Sequence, residues 1–311
     1  MTGWATTTCD RAGRGLVRTI GVTVAAVGAL LLAGCAGGAG PDSSGTIMLR
    51  HTPPERVQGL LAQAESDLRD GRFQNALTGF STVAQTEPEN RRARAGMAEA
   101  YLASGNAELA LKGFDGLLAE TPDDATLLQG RGIALAQQGR ADAAEAPLAA
   151  AVAANPSLWR SWNALGRVHD LQQKWDRSDA AYRRALEINP SAASVYNNLG
   201  YSLLLRGRYA EAAAQFDLAL RHEPGMPAAQ DNLAFANALM GQYDRALAAV
   251  PAERAPTALN NVGFAALARG DYGTAESYLI RAVQDSSRHF GTANENLRWL
   301  TYLRKNGPDA R

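Results

Sequence analysis

The chain has 311 residues, 31 basic and 31 acidic side chains and a hydrophobic content of 46%, enough for one large domain or two ordinary ones. A formal net charge of zero excludes the global field that gathers nucleic acid. Alanine is abundant, aromatics are 7% of the chain and β-branched runs are few, a composition that favours helices.

Residues 1–18 hold Arg11, Arg14 and Arg18 against a single Asp10, and residues 19–32 carry no charge at all. That run of 14 residues is too short to cross a hydrocarbon core of about 30 Å as a helix. It fits the charged start and short apolar stretch of a secretory signal. The run closes on Leu32-Ala33-Gly34-Cys35. Removal of residues 1–34 leaves 28 basic and 30 acidic residues, a net charge near −2. It also removes Cys9, so a disulfide between the two cysteines has no place in the mature chain. Residues 36–54 are rich in Gly, Ser and Pro and read as a flexible tether.

Leu32-Ala33-Gly34-Cys35 resembles the bacterial lipobox. The resemblance implies cleavage before Cys35 and a diacylglycerol on its thiol, so that residues 35–56 form a lipidated cysteine and tether. Two or more acyl chains anchor stably where one is marginal, at about 0.8 kcal/mol per buried CH₂. Ala36 rather than Asp follows the cysteine, which in this class implies the outer membrane.

Beyond the tether, prolines recur at Pro88, Pro122, Pro156, Pro190 and Pro224, each interval being 34 residues. In the same phase come Gly71, Gly105, Gly139, Gly207 and Gly241, each with a small residue seven positions earlier (Ala64, Ala98, Gly132, Gly200, Ala234). Ala76, Ala110, Ala144, Ala212 and Ala246 follow, and an aromatic or Leu stands four positions beyond this place in most repeats: Phe80, Phe114, Leu148, Tyr182 and Phe216. The spacing predicts helix–turn–helix units. Small residues let two helices approach, Gly takes the positive φ that closes the first helix, and Pro stops the second. The large residues fill the space between hairpins, and since none can bury its face alone, the hairpins stack.

The predicted repeats are 57–90, 91–124, 125–158, 159–192, 193–226, 227–255 and 256–289. A capping helix over 292–305 sits within a final segment of 290–311. Gln173 replaces the turn Gly of the fourth repeat, Pro147 is expected to bend or shorten the second helix of the third, and the sixth is cut by about five residues around Pro251.

This period and these positions resemble a tetratricopeptide array. The resemblance implies an all-α, right-handed solenoid of about seven hairpins whose first helices line a concave groove. Members that grip extended peptides often carry Asn at the sixth position of the repeat, which here is Asn198, Asn232 and Asn261. A carboxamide both donates and accepts, so a ladder of them suits peptide backbone of any sequence. Tyr201, Phe235 and Phe264 lie one turn further on as candidate apolar anchors. Arg160, Asn163 and Arg167 form a candidate carboxylate seat. These residues equally fit a structural role, with the asparagines satisfying local backbone and the aromatics packing between helices.

No Gly-rich phosphate loop or dinucleotide fingerprint occurs, and His51, His169, His222 and His289 are scattered. The expectation is a non-enzymatic protein-binding scaffold with no cofactor and no metal, its one covalent group being the lipid on Cys35.

The lipobox together with Tyr196-Asn197-Asn198-Leu199-Gly200, Asp231-Asn232-Leu233-Ala234, Ala258-Leu259-Asn260-Asn261-Val262-Gly263 and Asn294-Glu295-Asn296-Leu297 resembles the TadD-type lipoproteins of tight-adherence (Flp) pilus assembly. That likeness implies a pilotin-like factor on the periplasmic side of the outer membrane, with a secretin or pilus component as partner and no nucleic acid. A pilotin for another type IV pilus or secretion secretin, and an adaptor for peptidoglycan or protein hydrolases, share these features. Replacement of Cys35 by Ser is expected to leave an unprocessed, larger precursor in the inner membrane. Recovery of mature-sized protein from outer-membrane fractions would contradict the lipobox reading.

Overall fold

A computed structural model describes residues 53–248, 250–286 and 291–306, all within one compact unit, His51–Arg311. Cys35, the expected signal segment and most of the expected tether lie outside these residues. Helix formers and breakers alternate along the sequence, and the fold follows them as hairpins. They are α1 (Pro54–Arg69) with α2 (Phe73–Thr86), α3 (Arg91–Ala103) with α4 (Ala107–Leu118), and α5 (Ala125–Gln137) with α6 (Ala141–Ala154). The series continues with α7 (Trp159–Leu171) and α8 (Trp175–Ile188), α9 (Ala193–Leu205) and α10 (Tyr209–His222), and α11 (Pro227–Leu239) and α12 (Tyr243–Leu247). It ends with α13 (Ala255–Ala268), α14 (Tyr272–Gln284) and a single helix, α15 (Gly291–Asn306). No strand occurs among the described residues.

Each hairpin turn closes through one residue of positive φ. Six of these are glycines with φ between 73° and 83°. The seventh is Gln173 at φ 56°, a conformation that costs a side-chain-bearing residue about 1–2 kcal/mol. It persists because the turn keeps the bonds of its relatives. Gln173 N–H donates to the Asp170 carbonyl at 2.9 Å and Lys174 N–H to that of His169 at 2.8 Å. The junctions between hairpins are tied as well. Trp162, Tyr196 and Gln230 each donate a side-chain hydrogen to the carbonyl of the proline six residues earlier, at 3.0, 3.1 and 3.1 Å.

Packing rests on a small residue facing a large one. Phe80, Phe114, Leu148, Tyr182, Phe216 and Leu279 are at most 1% exposed, and burial of each contributes about 1.5–3 kcal/mol. Room for them exists because the facing positions lack side chains. A Cβ on Gly166 would lie 2.5 Å from the Tyr182 ring, one on Gly200 2.6 Å from Phe216, and one on Gly96 2.4 Å from Phe80 of the preceding hairpin. The last apolar face is covered by Leu297, Leu300 and Leu303 of α15, the residues expected of a capping helix.

Of the two outcomes expected of Pro147, bending or shortening its helix, shortening does not occur. The proline lies inside α6, yet α6 has 14 residues, as many as α8 and α10. The helix is not shortened, because a proline removes one hydrogen bond while the buried Pro147 ring gains packing in return. The short sixth repeat is realised as a five-residue α12 followed by a 3₁₀ turn, Ala252–Arg254.

The seam between α7, α8 and α9 holds a buried polar cluster. Ser178 stands where the other hairpins have Ala76, Ala110, Ala144 and Ala212, and Tyr182 where three have Phe. Both side chains converge on the buried Asp170. Its carboxylate accepts from Ser178 Oγ at 2.5 Å, Ser202 Oγ at 2.6 Å and Tyr182 Oη at 2.8 Å. Burial pushes the Asp170 carboxyl above its ordinary value, and the three hydroxyls and Arg206 offset this in part. Arg206 also forks onto Asp179 at 2.7 and 3.0 Å and lies 5.6 Å over the Trp175 ring. Three donors and a nearby cation make the buried charge tolerable, and loss of any one exposes the desolvation cost.

Two sets of variants test this packing. Gly59, exposed in α1 with nothing near a new Cβ, is expected to stabilise by about 0.5–1 kcal/mol on replacement by Ala. Gly200→Ala is expected to destabilise by about 1–3 kcal/mol through overpacking. Urea midpoints followed by circular dichroism give both signs, and equal effects would contradict the small-on-large arrangement. Tyr182→Phe keeps the ring and is expected to cost about 1–3 kcal/mol by leaving the Asp170 carboxylate short of a donor. The folded Asp170 pKa lies above its unfolded value, so the stability it contributes is full below pH 3.8 and is lost as pH rises through the folded pKa. Relative to Asp170→Asn, the native protein is therefore expected to lose stability across that interval and then level off. A difference that moves the opposite way with pH would contradict the assignment.

Candidate peptide-binding face

The backbones of successive first helices (α1, α3, α5, α7, α9, α11, α13, α15) approach one another closely, whereas those of successive second helices stay further apart and meet only through side chains such as Arg177 and Glu145. The first helices are therefore crowded together on the inner side of the array and the second helices fan apart on the other. Side chains two hairpins apart meet on that inner side. Arg160 Nη1 of α7 lies 3.7 Å from Glu99 of α3, across α5. Partial burial raises the Glu99 carboxyl above its usual value, against the pull of Arg160.

Numbering each repeat from residues 57, 91, 125, 159, 193, 227, 256 and 291 places the asparagines at positions five and six. Their carboxamides pair from repeat to repeat. Asn198 Nδ2 donates to Asn163 Oδ1 at 3.0 Å, Asn232 Nδ2 to Asn197 Oδ1 at 2.9 Å, and Asn296 Nδ2 to Asn260 Oδ1 at 2.9 Å. One rung differs: Asp231 ion-pairs with Arg254, and Asn261 Oδ1 instead accepts from Asn260 at 3.4 Å. The ladder is thus a zipper between first helices. Each donor in it uses one N–H, and a carboxamide has two N–H groups and one oxygen, so Asn198 and Asn232 each keep an N–H and an oxygen.

Position nine carries the aromatics. Phe235 and Phe264 stack at 6.4 Å between ring centroids with 22° between planes. Tyr201 is 40% exposed. Trp299 continues the series on α15 and stacks on Tyr302 at 5.3 Å. Arg167 holds position nine of the fourth repeat and is exposed. Of the sequence-derived residues, Asn163 and Asn198 are brought together, as are Phe235 and Phe264, while Arg160 is already paired with Glu99. The carboxylate seat is therefore reduced to Arg167. Cys35 lies outside the described residues.

Sequence reasoning passed over Asn197, Asn260, Asn296, Trp299 and Glu99 as members of this face. The signal for the zipper was an Asn–Asn spacing of one repeat plus one residue. Among the described residues no group of three His, Cys, Asp or Glu could hold a metal ion, and no helix is long and apolar enough to cross a membrane.

Family models described as tetratricopeptide repeat match residues 67–131, 130–187 with 163–227, and 257–296. No curated protein matches significantly. Among solved structures, a thermophilic tetratricopeptide-repeat protein of Thermus thermophilus is similar at 24% identity and a TM-score of 0.52, over 58% of this chain and 98% of that one. A tetratricopeptide-repeat protein from Parabacteroides merdae is similar at 16% identity and a TM-score of 0.53, over 79% of this chain and 99% of that one. A subunit of the APC/C hetero-tetramer Cut9–Hcn1 is similar at 16% identity and a TM-score of 0.58, over 84% of this chain and 52% of that one. At these identities the likeness is one of fold. Together with the hairpins, their turns and their small-on-large packing, the matched models mean that the chain belongs to the tetratricopeptide-repeat family.

Proposed function

We propose that the chain is a lipid-anchored, non-enzymatic scaffold on the periplasmic side of the outer membrane. Its inner face grips a segment of a secretin or pilus component, as a pilotin of a tight-adherence (Flp, type IVb) pilus system would. The observation that carries the binding reading is the alignment of Asn198, Asn232 and Asn261 with Tyr201, Phe235 and Phe264 on three successive first helices. Backbone-pairing groups and apolar surface repeat there in one register. Tetratricopeptide arrays are protein-interaction scaffolds, and function on such a scaffold lives in side chains grafted on it. The anchor reading rests on Leu32-Ala33-Gly34-Cys35, which would hold the array at a membrane through acyl chains on Cys35. Gripping a segment needs neither metal nor nucleotide.

The asparagine zipper decides which variant is clean. Asn198→Ala or Asn232→Ala removes a bond between repeats, whereas Asn261 holds only a long bond from its neighbour and Tyr201 is exposed. The Asn261→Ala/Tyr201→Ala double variant is expected to keep its helicity and to lose a secretin or pilus protein from gently solubilised envelopes. Each lost hydrogen bond weakens binding by about 0.5–1.5 kcal/mol. Mass spectrometry of the co-purified proteins and circular dichroism read the result. Undiminished recovery would remove the inner face from the mechanism, and a peptidoglycan hydrolase as the partner lost would overturn the pilotin assignment.

A further inference from the structure

We propose that the cleft where α2 meets α3, away from the carboxamide ladder, binds a neutral, hydroxyl-rich ligand, namely a pyranose ring of a sugar. The cleft measures about 330 Å³, near the lower end of the range for small-molecule sites.

The space exists because a bridge found at later seams is missing here. Between α6 and α7, Gln172 and Lys174 donate to Glu145 at 3.0 and 3.2 Å. Between α8 and α9, Arg206 forks onto Asp179 at 2.7 and 3.0 Å. Whole repeats earlier, the place of Glu145 and Asp179 is taken by Leu77 and that of Gln172 and Arg206 by Ser104, while Asn106 stands for Lys174. These shorter, uncharged side chains form no such bridge, and the seam stays open.

The hydrogen-bonding groups along the cleft are already divided into acceptors and donors. Thr78 Oγ1 donates to the Gln74 carbonyl at 2.9 Å, Ser81 Oγ to that of Thr78 at 3.0 Å, and Ser104 Oγ to that of Tyr101 at 3.1 Å. A hydroxyl that has given its hydrogen keeps its lone pairs, so these three accept from a ligand. Asn106 Oδ1 caps α4 by accepting from Leu109 N–H at 3.2 Å, which leaves its amide hydrogens as donors. A ligand hydroxyl both gives and takes a hydrogen bond, so adjacent hydroxyls on one ring answer both kinds of group.

The rest of the lining sets the other requirements. Leu77, Met97 and Tyr101 supply apolar wall, and Tyr101 is held against the core of its own hairpin. The negative face of an aromatic ring attracts the C–H face of a pyranose. None of the lining residues is charged. A phosphate or carboxylate would give up its water there without gaining a counter-ion.

The test follows D-glucose, D-galactose and N-acetyl-D-glucosamine on the full-length protein by saturation-transfer NMR, in a detergent without a sugar head group. D-Glucuronate is the charged control. At least one of the three sugars is expected to bind about tenfold more tightly than D-glucuronate. Two variants import the side chains that later repeats carry at these places: Ser104→Arg, as at Arg206, and Thr78→Lys, as at Lys112. Both are expected to abolish saturation transfer while circular dichroism stays unchanged. Thr78 is exposed, so Thr78→Lys tests the cleft even if Ser104→Arg disturbs the seam. Binding by none of the three sugars, D-glucuronate bound as tightly as the best of them, or undiminished transfer in Thr78→Lys overturns the proposal.

Discussion

In four of the hairpins a glycine of the first helix lies against one large side chain of the second, and the helices approach only as far as that pair allows. Gly166 against Tyr182, Gly200 against Phe216 and Gly263 against Leu279 leave no room for a Cβ. The repeat length follows from this contact, because both members must return in phase for the next hairpin to cover the last. In a stacked array each unit is stabilised only by its neighbours, so the final apolar surface needs α15. The seam between α7, α8 and α9 departs from apolar packing at several positions together. Ser178, Tyr182 and Ser202 all serve Asp170, since a lone carboxylate there would carry the full desolvation cost.

Regular packing also explains how a continuous binding face survives an irregular sequence. The deletion in the sixth repeat falls in α12, on the outer side, and leaves the first helices in register. Phe264 consequently stacks under Phe235 although only 29 residues separate them. The carboxamide zipper adds stiffness to the same surface. Side chains already held by a partner lose less entropy when a ligand arrives, so affinity is gained by preorganisation.

The fold was legible because its determinants are steric and local. A turn glycine, a junction proline and a small residue facing a large one recur wherever the backbone demands them, and the period exposes them in a single sequence. Gln173 was visible as a departure, and its left-handed conformation followed from the turn around it. Pro147 was expected to bend or shorten its helix, and it does not shorten it, because sequence shows the lost hydrogen bond but not the packing that compensates it. The face was legible only in outline. Asn198 and Asn232 stood out by position, but their bonds run to position five of the preceding repeat, and this offset depends on how adjacent helices lie side by side. The Arg160–Glu99 pair spans two repeats and is set by the crowding of the first helices, which no pairwise spacing records. Asp170 was readable in principle, since Ser178 interrupts a series of alanines, although the carboxylate uniting the exceptions lies on another helix.

Site-specific photocrosslinking in intact envelopes tests the central claim most directly. A photoreactive phenylalanine analogue placed at Tyr201 on the inner face is compared with one placed at Ala214, an exposed position of the second helix α10. If the inner face of the first helices is the binding surface, the probe at 201 gives a discrete protein adduct and the probe at 214 gives none. An adduct from 214 with none from 201 would place the partner on the outer helices and contradict the account.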